Sequence, residues 1–261
     1  MTSEQALALV VRGTDWSESS RIVTLFTREH GRIRALAKGG RRLKSNFEIA
    51  LDLLNLCRIV YLKKASNGLD VLTEARVEER FPILRRSLMA LYAGYYVAEL
   101  LADGTHDYDP HPGLFDAAVA SLRMLSDGVE SRPGEFLSIL VGFELVWLRE
   151  LGYSPRLESC AGCGIVLVGQ AGSVPRLGYS ASLGGVVCPS CLSLARESRV
   201  LSPDCWQVLR HLSEQQPGPT EPVPGPVQLE LRSLVSQTVS TVLGRRPRML
   251  GYLDVAFRGG G

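Results

Sequence analysis

Apolar and polar residues alternate in short runs over the first third of the chain and recur every three or four residues over the rest. Five runs read as strands: Ala6–Val11, Arg21–Thr27, Arg32–Ala37, Leu56–Leu62 and Leu69–Ala75. Asn67-Gly68 is a type I′ turn signal that would couple the last two as a hairpin. Five short strands in so short a stretch predict a small β-barrel; the OB type fits, and periodicity alone leaves other small barrels open. The period changes after Pro82. Leu84, Leu88, Leu91, Tyr95 and Ala98 predict one helix stripe, with Tyr92 and Tyr96 beside it as core residues or stacking surfaces. Leu114, Ala118, Leu122 and Leu125 mark a second helix. A third carries Phe136, Leu140, Phe143, Trp147 and Leu151 and stops at Gly152.

Further on, Ser202-Pro203-Asp204 is a helix start with a cap and a first-turn proline, and Trp206, Leu209 and Leu212 form the face that follows. Gln216 to Pro226 holds five prolines and reads as a stiff, exposed linker. Leu231, Leu234, Val235, Thr238 and Val242 predict a final helix ending at Gly244; Arg245, Arg246 and Arg248 beyond it would complement its C-terminus or extend a basic surface.

The helical pattern is interrupted by Cys160-Ala-Gly-Cys163 and Cys188-Pro-Ser-Cys191, two pairs separated by 24 residues. Each Cys-x-x-Cys turn sets two sulfurs on one side of a bend, and two such turns close a tetrahedron suited to Zn²⁺. Ile165–Val168 and Gly185–Val187 are β-prone runs within this segment, too small to hold it without a clamp. The expectation is a structural zinc ribbon of Cys160, Cys163, Cys188 and Cys191, inserted in the helical part at about residues 157–195. Two disulfides would need an oxidising compartment, and a redox pair would explain only one of the two turns. A zinc deaminase also uses Cys-x-x-Cys, but it needs His-x-Glu, and none of His30, His106, His111 or His211 has Glu two residues on. His106 and His111 fall in a connecting loop without a partner that would make them ligands or bases. Cys57 and Cys205 lie in apolar-patterned segments and read as small buried side chains.

Composition alters this picture little. With 45% hydrophobic and 21% charged residues among 261, the chain reads as an ordinary soluble protein. No secretory or membrane-spanning segment is evident; the most apolar long run, Phe136 to Leu151, is interrupted by Glu144, Arg149 and Glu150. A cytoplasmic location is expected. The formal charge of +2 announces no polyanion partner, but its distribution does. Between Arg28 and Lys44 stand Arg28, Arg32, Arg34, Lys38, Arg41, Arg42 and Lys44 against the single acid Glu29, with Gly39-Gly40 in the middle. A basic loop leaving a barrel strand suits irregularly spaced phosphates; a loop made soluble by its cations is the plainer alternative. It is not a nucleotide P-loop, because Gly-x-x-x-x-Gly-Lys-Ser/Thr is missing.

The order of these parts resembles the RecO family of bacterial recombination mediators. The resemblance runs through Asp15-Trp-Ser-Glu18-Ser-Ser-Arg21-Ile-Val-Thr-Leu-Phe-Thr27, Gly31 and Ala37-Lys38-Gly39-Gly40-Arg41-Arg42. It continues in Leu114-Phe115, Phe143-Glu144, Leu151-Gly152-Tyr153-Ser-Pro155, Cys160-x-x-Cys163-Gly164 and Gly244-Arg245-Arg246. It implies an α+β protein: an OB-fold domain at 1–80, then a helical domain at 81–261 carrying the four-cysteine zinc site. It implies binding of single- and double-stranded DNA and annealing of complementary strands. With RecR, it implies help in loading RecA onto single strands coated by the single-strand-binding protein SSB, in the bacterial cytoplasm at the nucleoid. Because not every member keeps the cysteines, the metal is expected to be architectural.

The residues expected to hold phosphates are Lys38, Arg41, Arg42 and Lys44, helped by Arg21, Arg32 and Arg34. No catalytic constellation is visible, so no enzymatic step is expected. Two other readings are a zinc-ribbon module that binds protein instead of DNA, and an enzyme using the zinc. Four thiolates leave the metal no position for water, which weighs against the enzyme.

Overall fold

The computed structural model describes residues 2–40, 47, 49–64, 68–127, 133–167, 176–195, 197–215 and 221–259. The five predicted strands form, most of them longer than their patterns: β1 Thr2–Asp15, β2 Arg21–Thr27, β3 Gly31–Ala37, β4 Leu56–Lys63 and β5 Asp70–Glu79. They are antiparallel except where β3 meets β5, and they pair in the circuit β1-β2-β3-β5-β4 and back to β1. The closing seam is short, joining only Ala35–Ala37 to Asp70–Leu72. β3 shows why the sheet curls inward on one face: Ile33, Ala35 and Ala37 are fully buried, whereas Arg32 and Arg34 between them point out. Val10, Val23, Leu25, Ile59 and Tyr61 join them in the barrel core. Asn67 of the expected hairpin turn, Arg41, Arg42 and Lys44 of the basic loop and Val168 of the ribbon lie outside the described residues.

The chain divides into two units, Met1–Val129 with Gly251–Gly261, and Glu130–Leu250. In the first, β1 does not alternate cleanly, because α1 (Leu88–Gly104) and α2 (Pro112–Asp127) cover its outer side and that of β2. Leu9 and Phe26 are buried there, with Phe26 stacked on Phe115 of α2 at 6.3 Å. All four residues predicted for the buried face of α2 are fully buried.

The stripe predicted for α1 is displaced. Pro82–Arg86 is a separate 3-10 turn, and the helix starts afresh after Ser87, whose Oγ accepts from Ala90 N. Leu84 and Ala98 of the stripe are buried, but Leu88 is 68% exposed, and the packed face is carried mainly by Ala90, Ala93, Val97, Leu100 and Leu101. Small side chains let α1 approach closely, so the large apolar residues that mark a stripe were the wrong guide. Leu91 and Tyr95 line a cleft of about 160 Å³ with Ile49, Leu53 and Pro82. Tyr96 is core, while Tyr92 sits 5.4 Å from Tyr252.

In the second unit α3 (Pro133–Glu150) is the central helix, with Phe136, Leu140, Phe143 and Trp147 buried against α5 (Pro203–Glu214) and α6 (Gly225–Leu243). Gly152 and Gly244 both end helices at positive φ, as their positions predicted. Ser202 caps α5 by accepting from Cys205 N. Between α3 and α5 lie β6 (Gly178–Ser180), β7 (Gly185–Val187), the short helix α4 (Pro189–Leu192) and β8 (Arg199–Val200).

Three expectations are corrected here. Among the described residues of the ribbon, Gly185–Val187 is a strand as predicted, whereas Ile165 and Val166 are exposed and make no more than an isolated bridge from Val166 to Ser159, and β6 and β8 complete the sheet. The described part of the proline-rich stretch is exposed as expected except at Val223, which is 3% accessible and whose N–H donates to Ser138 Oγ at 3.0 Å, and it is not all linker, because Gly225 and Pro226 already belong to α6. The helix ending at Gly244 is not the last, because α7 (Arg248–Gly259) follows and Arg248 opens it.

Candidate metal centre and nucleic-acid interface

The two Cys-x-x-Cys turns face each other at the start of the small sheet. Gly164 N donates to Cys160 O and Cys160 N to Ile165 O, each at 2.8 Å, which folds the first turn into a tight loop, with Gly164 at φ +81°. Ala161 N donates to Val186 O at 2.7 Å, placing that loop beside β7. Cys188 ends the approach from β7 and begins α4, which carries Cys191. Tyr179 of β6 is tied to α6 through Thr238 at 2.9 Å, and Trp206 of α5 donates to Leu157 O at 2.9 Å, so helices brace both sides.

The four Sγ atoms of Cys160, Cys163, Cys188 and Cys191 lie within 4.8 Å of one another. Cys163 and Cys188 Sγ are 3.8 Å apart. Four thiolates at about 2.3 Å from one ion would stand roughly 3.8 Å apart, so the group fits a tetrahedral metal. Backbone N–H groups of Cys188 and Cys163 point at Cys160 Sγ from 3.3 and 3.5 Å. Burial pushes the Cys160 thiol up, but these donors outweigh it and bring it down to about 6. Cys191 moves the other way, to about 12, through hydrogen bonds with the Cys160 and Cys188 sulfurs. One sulfur is thus poised as a thiolate, and a cation would be needed to hold all four so. Cys57 and Cys205 are both fully buried, as their patterning indicated.

The cations of the barrel differ in their surroundings. Arg32 and Arg34 project from the outer face of β3 toward one acid, Asp107: Arg32 Nε at 2.7 Å and Arg34 Nε at 3.5 Å. Arg21 on β2 lies 3.5 Å from Asp15. Lys38 follows β3, is exposed and makes no ion pair among the described residues. Arg28 is held by both oxygens of Asp116, at 2.9 and 3.0 Å.

The sequence marks the segment around Asp107 only as a connecting loop; in the structure it lies against β3 where β5 does not reach. Tyr108 N donates to Arg32 O at 2.9 Å, and the Tyr108 hydroxyl donates to the buried Asp70. Burial and that bond raise the Tyr108 pKa, and Lys63 Nζ lies 4.3 Å above its ring. His111 does have a partner, Asp109 at 3.2 Å.

Fold and site together define a mixed α+β protein: a five-stranded barrel bearing outward cations, and a helical unit clasping a four-thiol centre. Residues 1–81 match the family described as Recombination protein O N terminal, and residues 85–250 match Recombination protein O C terminal. The chain belongs to the RecO family. It is 37% identical to the DNA repair protein RecO of Rhodopirellula baltica, across 95% of this chain and 97% of that one. It is 33% identical to that of Myxococcus xanthus, across 94% and 95%. With that of Pelotomaculum thermopropionicum it shares 34%, across 80% and 76%. Among the described residues no helix is long and apolar enough to cross a membrane.

Proposed function

We propose that this chain works in DNA repair and recombination by binding single- and double-stranded DNA on its barrel and annealing complementary strands. Its further role would be to act with RecR in loading RecA onto SSB-coated single strands, at the nucleoid. The observation that carries the reading is the run of outward cations on β3 and its outgoing turn, Arg34 to Lys38, on an OB-type barrel. Arg41, Arg42 and Lys44 continue that run in sequence. Arg21 and Arg32 add charge beside it. Neutralised backbones repel each other less, so complementary bases can meet and pair, and no covalent step is required. The relatives are named as DNA repair proteins.

Zn²⁺ is the ion proposed for Cys160, Cys163, Cys188 and Cys191. It would supply structural cross-linking, since four thiolates leave no position for a reacting water.

The test is annealing of complementary oligonucleotides coated with SSB, with and without the protein. The reading expects acceleration that disappears at high salt and in a variant with Lys38, Arg41, Arg42 and Lys44 changed to Ala. Affinity for single strands should fall with salt at a log–log slope of about 0.7 per phosphate contact, flatter by roughly one to three in that variant. Folded, zinc-loaded protein that fails to accelerate annealing would overturn the reading.

A further inference from the structure

Past the irregularity between Val10 and Arg12, every residue of β1 from Arg12 to Asp15 is exposed, and the turn into β2 continues outward. That turn is held in shape. Trp16 N and Ser17 N both donate to Ser20 O, at 3.0 and 3.2 Å, and Ser20 N donates to Ser17 Oγ at 3.1 Å. Trp16, at the start of the turn, is 65% exposed. The other two tryptophans are used differently: Trp147 is fully buried, and Trp206 is half-buried with its indole N–H bonded. The indole N–H of Trp16 makes no hydrogen bond among the described residues.

The strand register says what lies beside it. Asp15 pairs with Arg21, and Arg21 pairs with Ala37, so Trp16, Arg21 and Lys38 come together at one end of three adjacent strands. Asp15 and Glu18 flank the indole, and Asp15 is itself engaged by Arg21 at 3.5 Å. A phosphate held by Arg21 and Lys38 would be kept from the acids, and a base extending from the same backbone would come within reach of the ring.

We infer that Trp16 is a stacking platform for a nucleobase of single-stranded DNA, and that it gives the barrel a preference for single strands over duplex. The inference rests on the reading of the barrel as a DNA-binding surface. Stacking asks only for an exposed base face, which a single strand offers and a paired duplex withholds. A large apolar ring on a braced turn, next to cations and away from the core, supplies the other half of the contact.

The experiment titrates the full-length protein with labelled oligothymidylate and with a duplex, following anisotropy of the label and tryptophan emission. Wild-type emission should be quenched as the single strand binds. Trp16→Phe should lose the quenching yet keep most of the affinity. Trp16→Ala should bind oligothymidylate on the order of tenfold more weakly. Its duplex affinity and salt slope should be unchanged, because the indole contacts no phosphate. Trp16→Ala that binds oligothymidylate like wild type would overturn the inference and leave the DNA reading standing. Wild-type protein that binds neither nucleic acid would overturn both.

Discussion

Arg32 on β3 and Asp107, 75 residues further along, are joined by a 2.7 Å bond from Nε to Oδ1. The same guanidinium also donates to Ala102 O, so Arg32 fastens the segment between α1 and α2 to the barrel. Arg34, two residues on and on the same face, is only 3.5 Å from the other oxygen of Asp107.

That contrast separates two kinds of cation. The Arg32 side chain is 19% exposed and that of Arg34 is 60%. Arg32→Ala should lower stability by on the order of 1–2 kcal/mol in urea denaturation, since it strands an acid and a carbonyl. Arg34→Ala should stay within about 0.5 kcal/mol of wild type, as exposed ion pairs do. Its loss should appear in DNA affinity. Equal stability losses in the two variants would refute the distinction.

The metal centre is constrained by a residue that is not a ligand. A Cβ on Gly162 would stand 2.9 Å from Cys191 Sγ and 3.2 Å from its Cβ. Gly162→Ala should therefore push the two cysteine turns apart, and zinc per mole of purified protein should fall well below that of wild type. Gly142 is the control, because a Cβ there meets nothing within 4 Å and the residue lies inside α3. Gly142→Ala should retain the metal and gain about 0.5–1 kcal/mol of stability from its helix preference. Full zinc retention in Gly162→Ala would show that the turns tolerate the intrusion.

Where local rules govern, the sequence was a good guide. The strands, the glycine stops at Gly152 and Gly244, the Ser202 cap and the four cysteines all follow from short-range pattern or chemistry. The errors came where long-range packing decided. Nothing near Leu84 says that the helix phase restarts at Ser87, so the stripe through Leu88 was misplaced onto an exposed residue. Pro222 and Pro224 read as linker because prolines disfavour helix, yet Val223 between them is buried and bonded to Ser138 and Gly134. The partnership of Arg32 with Asp107 is a tertiary fact with no local trace. Glu144 marked the apolar run of α3 as unfit for a membrane, but its partner is likewise far away in sequence.

That partner is Arg232 of α6, whose Nη1 donates to Glu144 Oε1 at 2.9 Å, with side-chain exposures of 10% and 0%. Removing one member takes away the opposite charge that offsets the other's burial. Arg232→Leu should cost about 3–5 kcal/mol, read from the denaturation midpoint. Combining it with Glu144→Leu should recover most of that loss, because no charge then remains to be solvated. A double variant no better than the single one would mean that the pair contributes through other bonds than the one joining it.

The last prediction concerns pH and the thiol of Cys57, which is fully buried in the barrel and lies 3.0 Å from Ala50 O. Burial pushes it up to about 12 from an ordinary 9.0. Below pH 9 the thiol is protonated in both folded and unfolded chains, so its contribution is intact. Between about pH 9 and 12 the unfolded chain releases the proton and the folded chain keeps it, so stability falls as pH rises. One group acting alone contributes a slope of about 1.4 kcal/mol per pH unit. Cys205, also raised to about 12 by burial, adds a second. Cys57→Ala should start from a lower stability, having lost the side chain's packing, but its alkaline slope should be shallower by about one proton. Urea midpoints measured across that range give the comparison directly. Parallel slopes would mean that the folded barrel admits the thiolate, and that Cys57 is not sealed from water.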